Sequence, residues 1–345
     1  MKHDRHAVAL IAPNWLGDAV MSLPLVGFLA SVPDIALRVI ASPYTARVFM
    51  GLGAVADLTI LDRHGWTRGI VDRRVALRRM RIDGAVILPT SFSSALSVFL
   101  SGVPHRVGFA DDARRWLLTR SFTDPREEHL SEAYLRLGRE LVTEMRLRAD
   151  GTATVPAIHV FERDRAAVRD VLQKRGAPVT GYAVVLPGAT YGPTKHWPHE
   201  KYRTLVNDLR GELPVVLAGA AAERSLCESI AGDSKNVYNL SGDTSLGELF
   251  ALMESSRVIV ANDSGAPHAG ASLGVPVFTI FGSTSPLWTS PIGVSVRVIR
   301  EPVHCSPCFL RDCPTQLECY EGIRPDRVLA EIVEVLRDRR SEEAG

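Results

Sequence analysis

The sequence predicts an α/β protein of two doubly wound units, each a parallel sheet covered by helices. Its 345 residues exceed what one hydrophobic core ordinarily organises. Short apolar runs alternate with amphipathic stretches of helical length along almost the whole chain. Strands that alternate with helices pair in parallel through right-handed crossovers. Around 149–156 the segment ADGTATVP interrupts that periodicity with Gly, Thr and Pro, which marks a linker. The expected domains are residues 1–153 and 154–345, both Rossmann-like, with the ligand in a cleft between them.

In the first half, HAVALIA (6–12), IALRVIA (35–41), ADLTIL (56–61) and GAVILP (84–89) read as buried strands. Helices are expected over 19–31, 67–80 and 127–145. In the last of these Leu130, Tyr134, Leu137 and Leu141 recur at helical spacing. The second half repeats the scheme, with strands expected at 182–189, 212–220, 236–240, 257–263 and 275–282.

Hydrophobic residues make up 46% of the chain and charged residues 23%, a globular composition. No apolar run approaches the roughly 18–20 residues that span a bilayer. The apolar stretch at 7–12 is too short for a signal peptide and no small-residue cleavage site follows it, so a cytoplasmic protein is expected. Net charge is +1, unevenly divided. Residues 1–150 hold 20 Lys plus Arg against 16 Asp plus Glu, or +4, and the remainder 20 against 23, or −3. Arg73, Arg74, Arg78, Arg79 and Arg81 form a cluster that suits either an acidic ligand, a membrane surface or a solvated helix face.

Three motifs carry chemistry. In PNWLGDAVMSLPLV (13–26) a strand end turns through Gly17 into a helix. Asp18 falls where it would either cap that helix or point a carboxylate into the cleft. In PGATYGPTKHWP (187–198) Gly188 and Gly192 free the backbone and Thr190 offers a hydroxyl. Lys195 is one of only five lysines; it suits phosphate binding or simple solvation. In NDSGAPHAGASLGVPVFTIFG (262–282) a buried strand ends at Asp263 and turns through Ser264 and Gly265. The helix that follows is built of small residues, so its N-terminal N–H groups can receive a diphosphate. Ser264 and His268, four residues apart, lack the third residue of a hydrolase triad. The Gly51–Ala56 match to a dinucleotide fingerprint follows a helical stretch and not a strand, and is rejected.

Cys305, Cys308, Cys313 and Cys319 crowd into fifteen residues. A structural zinc site usually shows two separated pairs, so the cluster reads as reduced thiols ahead of metal, and no residue is assigned as a metal ligand.

With PTSFSSAL and GVPHRVGF (89–109), these motifs in this order resemble glycosyltransferase family 9, the lipopolysaccharide heptosyltransferases, and within it the type II branch. The similarity runs from about residue 7 to 335. It implies a GT-B fold that binds acceptor mainly in the first domain and nucleotide sugar in the second. It implies Asp18 as catalytic base, and Lys195 and Thr190 beside the donor diphosphate. Glu223 is expected at the donor nucleoside, with Asp263, Ser264, Gly265 and His268 under the phosphates and sugar. Arg78, Arg79, Arg81 and Arg106 are expected to hold the acidic acceptor. The implied reaction inverts the anomeric centre, moving heptose from ADP-heptose to the inner-core heptose without a cofactor or an obligatory metal. Expected partners are ADP-heptose, the lipopolysaccharide core and, transiently, the inner face of the cytoplasmic membrane, not nucleic acid. Another family 9 heptosyltransferase, of type I or III, a GT-B sugar-nucleotide epimerase and a binding module without turnover are the alternatives.

Overall fold

The computed structural model describes residues 5–62, 66–123, 126–149 and 154–344. The chain forms two compact units, Met1–His159 and Val160–Gly345. The first holds strands β1 (His6–Ile11), β2 (Ile35–Ala41), β3 (Asp57–Ile60), β4 (Gly84–Ile87), β5 (His105–Phe109) and β6 (Arg120–Phe122). Its helices are α1 (Leu16–Met21), α2 (Leu23–Ser31), α3 (Ala46–Phe49), α4 (Trp66–Met80), α5 (Phe92–Ser101) and α6 (Leu130–Glu144). The second holds β7 (Ala183–Leu186), β8 (Val215–Leu217), β9 (Val237–Asn239), β10 (Val258–Asn262), β11 (Val277–Phe281) and β12 (Val296–Arg300). Around these lie α7 (Glu162–Lys174), α8 (His199–Leu209), α9 (Arg224–Ala231), α10 (Leu246–Glu254), α11 (Gly265–Ser272), α12 (Pro286–Thr289) and α13 (Pro325–Ala344).

Both sheets are six-stranded, ordered β3-β2-β1-β4-β5-β6 and β12-β11-β10-β7-β8-β9, and every pairing is parallel. The second, taken from its β9 edge, repeats the order of the first. In each, the direction of winding reverses beside the first strand, between β1 and β4 and between β7 and β10. Loops leaving the carboxyl ends of such a pair diverge and open a crevice. The strands β4, β7, β8, β10 and β11 are buried at every position, because helices cover both faces. Small residues let α11 sit close to its sheet. A Cβ on Gly270 would come within 2.3 Å of Ile259 Cδ1.

The expected strands are present, and β5, β6 and β12 are additional. These three are at or near sheet edges, where HRVGF, RSF and VRVIR need no continuous apolar run. The helix expected over 19–31 is two helices that meet at Ser22. Pro24 falls in the first turn of α2, where its missing N–H is harmless, and inside one continuous helix it would break a backbone bond. Ser22 Oγ donates to Ala19 O at 2.7 Å across the junction.

One buried cation fastens the carboxyl edge of the first sheet. Arg114 is fully buried. Its guanidinium donates to Phe109 O at 2.8 Å, Ser94 Oγ at 3.0 Å, Ser91 O at 3.2 Å and Pro89 O. Burial lowers its pKa to about 10, opposed by Asp111 and Asp112. Arg114→Leu leaves Phe109 O without this donor and Pro89 O and Ser91 O to share the single Ser94 hydroxyl, at about 1–3 kcal/mol for each carbonyl left unpaired away from water. We expect a loss of roughly 3 kcal/mol and a melting temperature lower by ~6–12 °C for a unit of this size, read by calorimetry. A shift under ~2 °C would show that water reaches those carbonyls.

Candidate functional site

In the second unit the loop that leaves β7 runs from Pro187 to Pro198 beside the loop that leaves β10. The fully buried Asn262, last residue of β10, ties them together. Its Nδ2 donates to Pro187 O at 2.6 Å, and its Oδ1 accepts from Trp197 N at 3.1 Å and Tyr202 Oη at 2.9 Å. Both ends of the loop are therefore pinned to the neighbouring strand. The loop adds a bond of its own between the His196 ring and Ala189 O, 2.8 Å.

This pinning brings two predicted residues into contact. Lys195 ends a single 3-10 turn, Pro193–Lys195, and its Nζ lies 2.6 Å from Asp263 Oδ2. Thr284 Oγ1, from the loop after β11, donates to the same carboxylate at 2.5 Å. The Tyr191 ring lies beneath the ammonium, 5.4 Å from its centroid, a cation–π contact. Asp263 is 4% exposed, so its charge is met by a cation and a hydroxyl at once. Beyond it Ser264 is the N-cap of α11, in extended conformation. Gly265 opens the helix and His268 is buried in its first turn. Thr190 is exposed in the same loop. Thr284, Tyr191 and Asn262 are the site residues that sequence reasoning missed.

Glu223 lies in the loop after β8, where its Oε2 accepts from Ala220 N at 2.8 Å. Two glycines make room for it. A Cβ on Gly188 would sit 1.7 Å from Glu223 Oε1, and one on Gly219 2.3 Å from Oε2. Gly188, Lys195, Glu223, Asp263, Ser264 and Gly265 thus share the carboxyl edge of one sheet, around its β7/β10 crevice.

In the first unit Asp18 follows β1 on the corresponding edge. It is half-buried and third in α1; the N-cap is Trp15, not Asp18. The arginines expected for the acceptor are placed differently. Arg78, Arg79 and Arg81 are exposed at the end of α4, which leads into β4 at the amino edge of the sheet. There Ala7 N donates to Asp83 Oδ2 and Asp83 N to Ala7 O. Arg106 donates to Leu117 O at 2.8 Å, Val103 O at 2.6 Å and Pro104 O at 3.1 Å and stacks over Phe99. The structure does not bring these four to Asp18; they are at the opposite end of the strands.

The cysteine segment, 305–319, lies against the 187–198 loop. Thr194 Oγ1 donates to Leu310 O at 2.6 Å, and Tyr191 Oη to Phe309 O at 2.8 Å. Gly192 is flat against Arg311, since a Cβ there would meet Arg311 Cγ at 2.6 Å. Tyr320 Oη donates to Thr194 O at 2.9 Å. Lys201 Nζ holds the carbonyls of Tyr320, Glu321 and Ile323. All four cysteines are free. Burial pushes the Cys319 thiol up to about 11, with the nearby sulfurs of Cys305, Cys308 and Cys313 adding to it.

Asn262→Leu keeps the volume and removes the bonds by which β10 pins the two ends of the loop. The buried Pro187 O, Trp197 N and Tyr202 Oη would then lack partners, at about 1–3 kcal/mol each. Trypsin should cut at Lys195 at least tenfold faster than in the parent, at a temperature where both variants remain folded. Equal cleavage rates would show that Asn262 does not hold the loop.

Residues 72–318 match the family model described as glycosyltransferase family 9 (heptosyltransferase). The chain is 30% identical over 308 residues to lipopolysaccharide heptosyltransferase 2 of Escherichia coli (strain K12), covering 85% of this chain and 87% of that protein. It is 28% identical over 311 residues to lipooligosaccharide heptosyltransferase 2 of Haemophilus ducreyi, covering 85% and 88%. Among solved structures it superposes on E. coli ADP-heptose LPS heptosyltransferase II with a TM-score of 0.78 and 27% identity, covering 97% of this chain and 99% of that one. A family 9 glycosyl transferase from Veillonella parvula shares the fold, with a TM-score of 0.83 at 17% identity over 98% of this chain and 99% of the other. Two parallel sheets of Rossmann order, a lysine–carboxylate pair at one crevice, an aspartate beside the other and these likenesses have one explanation: the chain belongs to glycosyltransferase family 9, the heptosyltransferases.

Proposed function

We propose that this family 9 enzyme transfers heptose from ADP-L-glycero-D-manno-heptose to the heptose of the lipopolysaccharide inner core, the type II reaction, with inversion at the anomeric carbon. The observation that carries the reading is the Lys195–Asp263 pair, set in the β7/β10 crevice beside the N-terminus of α11. A nucleoside diphosphate leaving group needs a cation and aimed N–H donors as charge moves onto it. Lys195, Thr190 and the turn at Ser264–Gly265 take the diphosphate, and His268 and Asp263 lie under phosphate and sugar. Glu223 meets the nucleoside. Asp18 accepts the proton of the acceptor hydroxyl as its oxygen attacks the anomeric carbon. The first unit carries the acceptor and the second the ADP-sugar.

No helix among the described residues is long and apolar enough to cross a membrane. We place the enzyme in the cytoplasm, with a peripheral contact at the inner membrane through the α4–α5 face. There Arg74 Nε donates to Leu100 O at 3.1 Å and Arg78 Nε to Ser101 O at 3.4 Å. Phe99 is 39% and Trp116 64% exposed beside them, with the two rings edge to face. Guanidinium groups beside exposed aromatic rings suit the interface of an anionic bilayer.

Asp18→Asn keeps the size of the side chain but takes no proton. Turnover should fall about 100- to 10,000-fold, while the KM for ADP-heptose stays within about twofold. The assay follows ADP release with and without a truncated core acceptor. Retention of more than about a tenth of parental turnover would remove Asp18 as the base. ADP-heptose isomerisation without acceptor would mean an epimerase.

The triple replacement of Arg74, Arg78 and Arg79 by Gln should abolish cosedimentation with phosphatidylglycerol vesicles, each charge being worth about 1 kcal/mol near such a surface. Turnover on a short, soluble acceptor should not change. A raised acceptor KM with vesicle binding intact would return these arginines to acceptor recognition.

A further inference from the structure

The cysteine segment departs from the sheet after β12 and returns at the 3-10 turn Glu318–Tyr320. Its two ends meet. One nitrogen of His304, Cys305 Sγ and a carboxylate oxygen of Glu318 all lie within 4.8 Å of one another. Fourteen residues of chain, 305 to 318, form a loop closed by that contact. The loop supplies the carbonyls of Phe309 and Leu310 that hold Tyr191 and Thr194. Nothing covalent closes the neck, because the cysteines are free. The three ligand types are those zinc takes, and a tetrahedral zinc would hold such atoms roughly 3.3–3.8 Å apart, so only a small adjustment of side chains is needed. Cys308 is not among these three residues, but it stands three residues from Cys305, the short spacing at which a second thiolate can turn in to share one ion.

We propose that His304, Cys305 and Glu318 hold a zinc ion, with Cys308 as the fourth ligand, and that the ion fastens the neck of the loop bracing residues 187–198. A thiolate in the set favours zinc over magnesium or calcium, which take oxygen ligands. With four protein ligands the ion has no open position for substrate, so its role is structural. Its effect on donor binding rests on the donor-site reading above; its existence does not.

The test measures zinc in the full-length protein, purified without chelator from zinc-supplemented cells, by inductively coupled plasma mass spectrometry. About one zinc per chain is expected. Cys305→Ser, Cys308→Ser and Glu318→Gln should each fall below about 0.2, and Cys227→Ala, in α9, should stay near one. Removing the ion with a chelator should lower the melting temperature, and zinc but not magnesium should restore it. Protein that neither contains nor takes up zinc would overturn the site, as would Cys305→Ser with full occupancy. Full occupancy in Cys308→Ser would overturn the fourth ligand. Zinc removal should also raise the KM for ADP-heptose several-fold. A stoichiometric ion whose removal leaves that KM unchanged would keep the site and overturn its role in bracing the donor loop.

Discussion

The amide of Asn262 is the constraint on which the second unit's chemistry depends. At a reversal of winding two neighbouring strands send their chains away from each other, so no short connection sets the distance between the loops. Here one side chain, on the last residue of β10, fixes both ends of the β7 loop. Carboxylate and ammonium then meet at 2.6 Å, although they are 68 positions apart in the chain. A fully buried amide with donor and acceptor both satisfied is stiff, because every alternative rotamer leaves polar groups unpaired. The crevice is therefore formed before any ligand arrives.

Much of this was legible in the sequence, for identifiable reasons. Strands such as VIVAN and VFTIF are buried on both faces and so read as unbroken apolar runs. Edge strands such as VRVIR satisfy one face only and look like loop. Lys195 and Asp263 were visible because glycines punctuate the chain around them. Thr284 and Tyr191 were not, since their roles depend on partners brought close only by the sheet. Asn262 had a signal that went unused: an amide at the end of a buried strand must find several partners. Asp18 was recognised, but its position in the helix was misjudged. Trp15 is the N-cap, so the carboxylate is third in the helix and still within its first turn.

The arginines illustrate a limit of composition. The surplus of positive charge in the first 150 residues is real, yet charge counts carry no information about which end of a strand a residue occupies. α4 runs from the carboxyl edge to the amino edge, so the guanidiniums of its last turn face away from the edge that holds Asp18. Arg106 is engaged with three carbonyls, and burial lowers its pKa, opposed by Glu144. Arg114, which the sequence did not distinguish from its neighbours, is the residue that orders the loops on the functional edge. A guanidinium has enough donors to join several carbonyls at one point.

On the proposed donor site, the Lys195–Asp263 pair would also shape how the site empties. A diphosphate arriving at the ammonium would displace a carboxylate already in contact, so part of its attraction would be cancelled on entry. The same carboxylate, held by Thr284, would stay beside the nucleotide as a competing anion. Transfer would leave more negative charge on the departing nucleotide than it carried before, so the repulsion would grow at that moment and Asp263 would recapture the lysine. The pair would then act as a counterweight that limits product inhibition.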